Sequence, residues 1–431
     1  MSSAELSDAR GIARPQRPRA GGRLAALDRS RLPIVVSVGA VALLPLLRPG
    51  GPGNSAPVDL LIGLALAVSV FVATGSRKKW RFPYSAPMFL FLVGGTIGAI
   101  AGPVPAAGVT ALAQDVILLA WCWVVVNICS SPDGLKILVR TWAYSAVAWA
   151  SLLFLALATN TAALTGRTAK DASRTMLTFG DPNVCANYLF ISIMIVWAAQ
   201  CPRRRPFRVA AYAVLVAALM TTGSNSGIVS LVVGVAIAAV LGVYRRRGLV
   251  AAVTALVFLA LGGYLVAATV NFASIQEKAQ ASHYAFIRDG IGRVQTSAAQ
   301  RGSILSESIH LYDAGGLLGA GPVSTKTRLH AEQAPFVKEA HDDYVAALTE
   351  RGLVGFLGLA LLIGTVARRS LLAVRPVASQ HTSMLARPNA FVGAIAGTFV
   401  AMAVLELLHV RHVWTLFAFV AALSLQRRAR H

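Results

Sequence analysis

Apolar residues run through this chain in long unbroken stretches rather than alternating with polar ones. The stretches are Leu32 to Leu47, Val58 to Thr74, Tyr84 to Ala101, Ala106 to Cys129, Ile137 to Ala158 and Val184 to Ala199. They resume with Val209 to Thr222, Gly227 to Val243, Leu249 to Val270, Tyr344 to Val366, Ala390 to Leu408 and Val413 to Leu425. Most approach the roughly 20 residues that a helix needs to cross about 30 Å of hydrocarbon. The pattern predicts an all-α polytopic membrane protein with about twelve transmembrane helices. Period-2 alternation is absent, which argues against a barrel.

The polar breaks are short, with one exception. Between the ninth and tenth runs, residues 271–343 form a large loop. Connections of this length carry function or are disordered. This one has helical patterning. Ser297 and Gln300 match a capping box, Ile304, Leu305, Ile309 and Tyr312 follow at helical spacing, and Gly315 and Gly316 stop the pattern. A second helical stretch, Ser274 to Arg288, precedes it. The expected organisation is therefore a disordered basic tail over 1–31, helices over 32–270, an ordered helical outer loop over 271–343, helices over 344–425 and a short tail over 426–431.

Composition agrees with the pattern. The chain of 431 residues is 56% hydrophobic and 13% charged, with a mean hydropathy of +0.63, too little charge to cover a soluble surface of this size. The net charge of +22 raises the question of nucleic acid, and its placement answers it. Basic clusters sit in Arg10 to Arg31, "RKKWR" (Arg77 to Arg81), "RRRPFR" (Arg203 to Arg208), "YRRRG" (Arg245 to Arg247), "ARR" (Arg368, Arg369) and "RRAR" (Arg427 to Arg430). With about twelve spans and a cytoplasmic N-terminus, all of them fall inside, as the positive-inside rule requires. The charge thus reads as orientation and contact with anionic membrane lipids, not as nucleic-acid binding. Leu32 to Leu47 is expected to stay in the chain, because "RPGGPGNSAP" is a poor signal-peptide cleavage site. The four cysteines lie in or at the ends of apolar runs, so neither a disulfide framework nor a metal site is indicated.

On this topology Arg174, Asp181, Asn183, Ser224, Arg288, Arg301, His341 and Asp342 all face outwards. The inner face has basic clusters and turns but no acidic or histidine constellation. Chemistry at the outer face lacks ATP, so a substrate has to arrive already activated. The usual activated donor there is a saccharide on a polyprenyl pyrophosphate.

Five short motifs in order give this reading a family. "GDPNVCANYL" (Gly180 to Leu189) resembles an Asp-Pro-Asn segment entering a helix, and "TTGSNSGIVSL" (Thr221 to Leu231) a Ser-Arg-Gly turn between helices. "RGSIL" (Arg301 to Leu305) fits R-x3-L, and "GLLGAGP" (Gly316 to Pro322) resembles a Gly-rich turn after it. His341, Gly352 and Gly355 fit His-[Asn/Ser/Gln]-x9-Gly-x-x-Gly. Together the motifs resemble the O-antigen ligase and O-antigen polymerase superfamily, over about Arg174 to Leu425. The chain departs from the pattern twice. Asp342 replaces the residue after the histidine, and Ser224-Asn225-Ser226-Gly227 lacks the turn's arginine, which in the family helps hold the donor pyrophosphate. Arg174, Arg288 and Arg293 are the candidates to replace it.

The resemblance implies glycosyl transfer from a polyprenyl-pyrophosphate-linked glycan to a glycan or lipid acceptor at the outer face of the cytoplasmic membrane, with both termini inside. A neutral imidazole suits deprotonation of the acceptor hydroxyl, and the resemblance gives His341 that role. It gives Arg301 the leaving pyrophosphate, which a guanidinium can pair bidentately. Arg174, Asp181, Asn183, Ser224, Arg288 and Asp342 are the expected substrate-binding residues. Neither a cofactor nor a metal is implied, although the adjacent Asp342 and Asp343 invite a test with EDTA.

Plainer readings stand beside these. His341 also fits a polar helix cap, Arg301 a salt bridge to Glu307 or Asp313, and Asp181 with Asn183 a cap on the next helix. Gly352, Gly355 and Gly358 suit close helix packing better than catalysis. Glu406, His409, Arg411 and His412 suit a structural ion pair, and Asp115, inside an apolar helix, has no evident partner. The rival function is export of a polysaccharide or lipid-linked sugar. Against it, the halves show no internal similarity and there is no Gly-x3-Asp-Arg loop of the major-facilitator type. A third reading is saccharide transfer to protein.

The topology is directly testable. Reporters fused at Lys79, Arg204 and Arg246 should report the cytoplasm, and fusions at Ala172 and Arg301 the outside. A cytoplasmic signal from the 271–343 loop would overturn the expected helix count.

Overall fold

The computed structural model describes residues 31–48, 55–75, 79–167, 174–269, 271–283, 317–331, 342–374 and 385–428, with single positions 288, 306, 309 and 312 between them. Among the described residues there is no strand. The helices are α1 (Leu32–Ala42), α2 (Pro57–Thr74), α3 (Ser85–Ala101), α4 (Pro105–Ile128), α5 (Pro132–Ala158), α6 (Ala162–Thr165) and α7 (Pro182–Ala199). They continue with α8 (Arg205–Thr221), α9 (Asn225–Thr269), α10 (Phe272–Gln280), α11 (Thr325–Ala331), α12 (Asp343–Leu372), α13 (Asn389–Met402) and α14 (Arg411–Arg428).

Local sequence sets the helix starts. Proline opens α2, α4, α5 and α7 near N1, where its missing N–H costs nothing. Ser131, Asp181 and Asp342 are N-caps whose side chains accept from backbone amides one turn in. Asp59 reaches back to the amide of Ala56 at 2.8 Å. Among the described residues six helices are long and apolar enough to cross a membrane: α2, α4, α5, α7, α9 and α12. Three shorter apolar ones, α1, α3 and α13, accompany them. The protein is thus a helical, multi-pass membrane protein.

Every expected apolar run lies largely or wholly in a helix. The runs Gly227 to Val243 and Leu249 to Val270 meet at a kink in α9, where Gly248 is non-helical (φ 84°, ψ −174°) and the basic cluster Arg245 to Arg247 stands just before it. That left-handed φ suits glycine, so the break falls there. It divides α9 into two segments of about 20 residues, each enough for a crossing. In the segment after α9, α10 occupies part of the expected Ser274 to Arg288 helix. Ser306, Ile309 and Tyr312 are helical, and the rest of the expected 297–312 helix lies outside the described residues.

The bundle is built around α7, which is 78% buried and packs on α5, α8, α9 and α13. Tryptophan and tyrosine tie neighbours with hydrogen bonds in the apolar interior. Trp142 Nε1 donates to Ser192 Oγ at 2.9 Å, Trp121 Nε1 to Thr415 Oγ1 at 2.9 Å, and the Tyr84 hydroxyl to the Phe417 carbonyl at 3.0 Å. The four cysteines are buried and free, in keeping with the absence of a disulfide framework.

The most extensive helix contact among the described residues is between α3 and α12. A Cβ on Gly98 would lie 2.6 Å from the Glu350 carbonyl, and one on Gly94 2.6 Å from the Arg351 carbonyl. Gly358 packs on the Phe91 backbone. The small residues let two backbones touch, the packing role expected for Gly355 and Gly358. Within this contact Asp115 finds its partner. Arg351 Nη2 lies 2.7 Å from Asp115 Oδ2, and the guanidinium stacks 3.9 Å over the Phe91 ring. This pair joins α4 to α12 in a buried setting, where removing one member leaves the other charge uncompensated.

Arg351→Met should therefore lower stability by about 3–5 kcal/mol. The double variant Asp115→Leu/Arg351→Met should lose far less. Thermal unfolding of the detergent-purified protein, followed by loss of the monodisperse fraction, reads both. Equal losses in the single and double variants would mean that the pair contributes nothing specific.

Candidate functional site

Two polar groups gather at one end of the bundle, where α2, α7, α9, α12 and α14 begin. The first is built on the start of α7. Gly180, at φ +81°, turns the chain, and Asp181 caps the helix by accepting from the amides of Asn183 at 2.6 Å and Val184 at 3.2 Å. The capping reading of Asp181 therefore holds. Asn183 does something else. Its Oδ1 accepts from Arg174 Nη2 at 3.1 Å and from Ser224 Oγ at 2.8 Å. Arg174 Nε also donates to the Thr222 carbonyl at 2.8 Å, and the Thr175 amide donates to the Thr221 carbonyl at 3.1 Å. Ser224 Oγ lies 3.0 Å from Ser226 Oγ.

Arg174, Asn183 and Ser224 thus form one network, with Asp181 fixing its helix. They come from positions far apart in sequence, and Arg174 is the arginine that stands at the Ser-Asn-Ser-Gly turn. One neighbour was missed by sequence reasoning. The Arg48 guanidinium reaches Gly180, where an added Cβ would lie 3.1 Å from its Nη2. Arg48 sits in "RPGG", a stretch that drew attention only as a poor cleavage site, and nothing in its spacing links it to Gly180.

The second group is at the start of α12. Asp342 is the N-cap, with Oδ1 accepting from the amides of Tyr344 at 2.8 Å and Val345 at 3.2 Å. Burial raises its pKa, and those two hydrogen bonds oppose the shift. Asp343 is buried and turns the other way. Its carboxylate accepts from the amides of Leu407 at 2.7 Å and Leu408 at 3.2 Å. Both carboxylates are committed to backbone, and among the described residues no group of His, Cys, Asp or Glu could hold a metal ion.

Beside α12 lies a cavity of about 640 Å³, lined among others by Asp115, Asp343, Glu350, Arg351, Glu406 and His409. The Gly-rich turn closes one side. Ala320 and Gly321 donate to the Thr349 and Glu350 carbonyls at 2.9 and 2.8 Å, and Leu353 donates to Leu317 at 3.0 Å. Glu350 then accepts from the amides of Val323 at 2.9 Å and Thr325 at 3.3 Å and from the Thr325 hydroxyl at 2.6 Å.

The histidine and arginine near α14 have structural partners, as the plainer reading had it. Arg411 pairs bidentately with Asp59, at 2.9 and 2.5 Å. His412 Nε2 lies 2.9 Å from Asn187 Oδ1, with its ring edge-on to Phe179 and Tyr188. Of the remaining expected site residues, Arg288 is exposed on the chain after α10. His341, Arg301 and Arg293 lie outside the described residues.

A family model described as O-antigen ligase matches residues 210–360. The matched region contains Ser224, Arg288, Arg301, His341 and the Gly-rich turn, and begins after Arg174, Asp181 and Asn183. No curated protein matches the chain. The match over residues 210–360 supports a place for the chain in the O-antigen ligase and polymerase superfamily. That match and the apolar helices give a membrane protein of polysaccharide biosynthesis, with a glycan-modifying function of ligase or polymerase type.

The network around Asn183 can be measured. Arg174→Ala and Asn183→Ala should each destabilise the purified protein, and a double-mutant cycle should give a coupling of about 0.5–3 kcal/mol. Additive losses would mean that the Arg174 to Asn183 contact carries no energy.

Proposed function

We propose that the protein transfers a saccharide from a polyprenyl-pyrophosphate donor to an acceptor hydroxyl at the outer face of the cytoplasmic membrane. The chain crosses about twelve times in this reading, with both termini inside. The acceptor oxygen attacks the anomeric carbon and forms the new glycosidic bond. The bond from that carbon to the pyrophosphate oxygen breaks, and the leaving group takes the electron pair. His341 accepts the proton from the acceptor, a role that typically gives about 10²- to 10⁴-fold. Arg301 stabilises the charge that grows on the leaving pyrophosphate. The transfer needs no metal.

One observation carries the reading. Arg174 joins the Asp-Pro-Asn segment to the Ser-Asn-Ser-Gly turn, through Asn183 on one side and the Thr222 carbonyl on the other. That turn lacks the arginine its family pattern has. Arg174 supplies a guanidinium there from a different point in the sequence, and it holds the donor pyrophosphate. Asp181 fixes the helix start that presents Asn183.

The test is transfer in vitro from a purified polyprenyl-pyrophosphoryl donor with EDTA present. His341→Ala should abolish transfer yet insert normally, and wild-type activity in it would dispose of the base. Arg301→Lys keeps the charge but loses the planar fork, and should be slower by roughly ten- to a hundredfold. Arg301→Glu should be inactive. A lysine variant equal to wild type would remove Arg301 from the site. Loss of activity in EDTA with recovery on Mg²⁺ or Mn²⁺ would move the leaving-group role to a metal.

A further inference from the structure

The opposite end of the bundle holds a cavity that the transfer reaction does not use. Its volume is about 660 Å³, and it opens between α7, α9 and the start of α13. Arg245, Arg246, Arg247 and Arg387 line it, with Trp197 at its edge and Ala238, Ala239, Gly242 and Val243 as an apolar floor. The site is built rather than incidental. Asn389 Nδ2 donates to the Ala238 carbonyl at 2.6 Å, and the Arg387 amide donates to the Ala198 carbonyl at 3.1 Å, so α13's start is pinned to both α9 and α7.

The elements that line the cavity bring no counter-charge to the four guanidinium groups. Neither α7, α8, α9 nor α13 contains a single Asp or Glu, and the connection 373–388 contains none either. Four like charges on a concave wall of low dielectric focus a positive field, and the counter-charge has to come from outside the protein.

Position selects the source. Ser224 belongs to the network at the other end, and Arg245 follows about 20 residues later on the same helix, or about 30 Å along its axis. That is one hydrocarbon thickness. The arginines therefore lie at the second membrane surface, and Trp197 sits where indole rings concentrate, at headgroup level. Val235, one turn from Ala239 towards the bilayer centre, is exposed and apolar, as a lipid chain descending from the cavity requires.

We infer that this cavity binds the phosphate headgroup of an anionic phospholipid, with its acyl chains laid along α9. The inference goes beyond the transfer reaction and does not depend on it. A small soluble phosphate compound shares the anion chemistry but would gain nothing from the apolar floor.

Native mass spectrometry of the full-length detergent-purified protein tests it, with dioleoylphosphatidylglycerol and dioleoylphosphatidylcholine as probes. The wild type should retain the anionic lipid preferentially. Arg245→Gln/Arg246→Gln/Arg247→Gln/Arg387→Gln should lower that retention at least tenfold, since each basic side chain near an anionic headgroup contributes about fivefold. The corresponding four-lysine variant keeps the charge and should keep the preference. Arg203→Gln/Arg204→Gln/Arg205→Gln removes a neighbouring cluster that does not line the cavity and should bind as wild type. Undiminished retention in the four-glutamine variant would overturn the inference, as would equal loss in the 203–205 variant. Displacement of the lipid by equimolar glycerol 1-phosphate would also overturn it, because a soluble anion would then be the ligand.

Discussion

Backbone polar groups released where a helix stops inside an apolar bundle must find partners, and the segment between α13 and α14 is where this constraint is met. Helix α13 ends at Met402 and α14 begins at Arg411. The amides of Leu407 and Leu408 are taken by the Asp343 carboxylate, and the Leu408 carbonyl by Trp414 Nε1 at 2.6 Å. In hydrocarbon each unmet group would cost several kcal/mol. The same stretch then places Arg411 on Asp59 and His412 on Asn187. So α2, α7, α12 and α14 are joined at one end of the bundle through charge-bearing or amide side chains rather than through apolar packing alone. The network of Arg174, Asn183 and Ser224 and the cap at Asp342 are attached to that joint.

Glycine gives the second constraint. The Gly-rich turn lies against the backbone of α12 at Gly352, which takes φ +63° and has the Leu317 and Leu318 carbonyls where a side chain would be. Next to the turn, α3 presses on the same helix through Gly94 and Gly98, and Gly98 also meets Gly321 of the turn. Backbone touches backbone at both contacts with α12, and the charged side chains of Glu350 and Arg351 are satisfied by specific partners. Glu350 binds the returning loop and Arg351 binds Asp115. A glycine pattern that served in the sequence as a family signature is, in the structure, a packing device.

The apolar runs made the helices legible because period and length are local properties. The cap at Asp181 was legible too, since it stands directly before an apolar run, whereas at α12 the cap expected of His341 is made by Asp342. What could not be read were pairings between distant positions. Arg351 lies on a helix eight elements after Asp115, and no local pattern joins them. Arg174 was one of three candidates for the missing arginine, and only the fold brings it to Thr222 and Asn183. The adjacent Asp342 and Asp343 invited a test of metal dependence. Successive positions at a helix start point in different directions, so one caps its own helix and the other holds a different segment. The break between the eighth and ninth runs falls at Gly248, directly after the arginine cluster, where glycine takes the left-handed φ without strain.

The Glu350 clamp has a further consequence for the chain that leads into α12. Glu350 is bonded to Val323 and Thr325, and the polypeptide runs from Thr325 onward to Glu350 itself. The hydrogen bonds thus close a ring in the covalent chain, and His341 is a member of that ring. Ring closure removes conformational entropy once, when the bundle assembles, by an amount that grows only slowly with the number of residues enclosed. The two ends of that ring, Val323 with Thr325 on one side and Glu350 on the other, are thereby fastened to each other at the start of α12 by side-chain bonds alone.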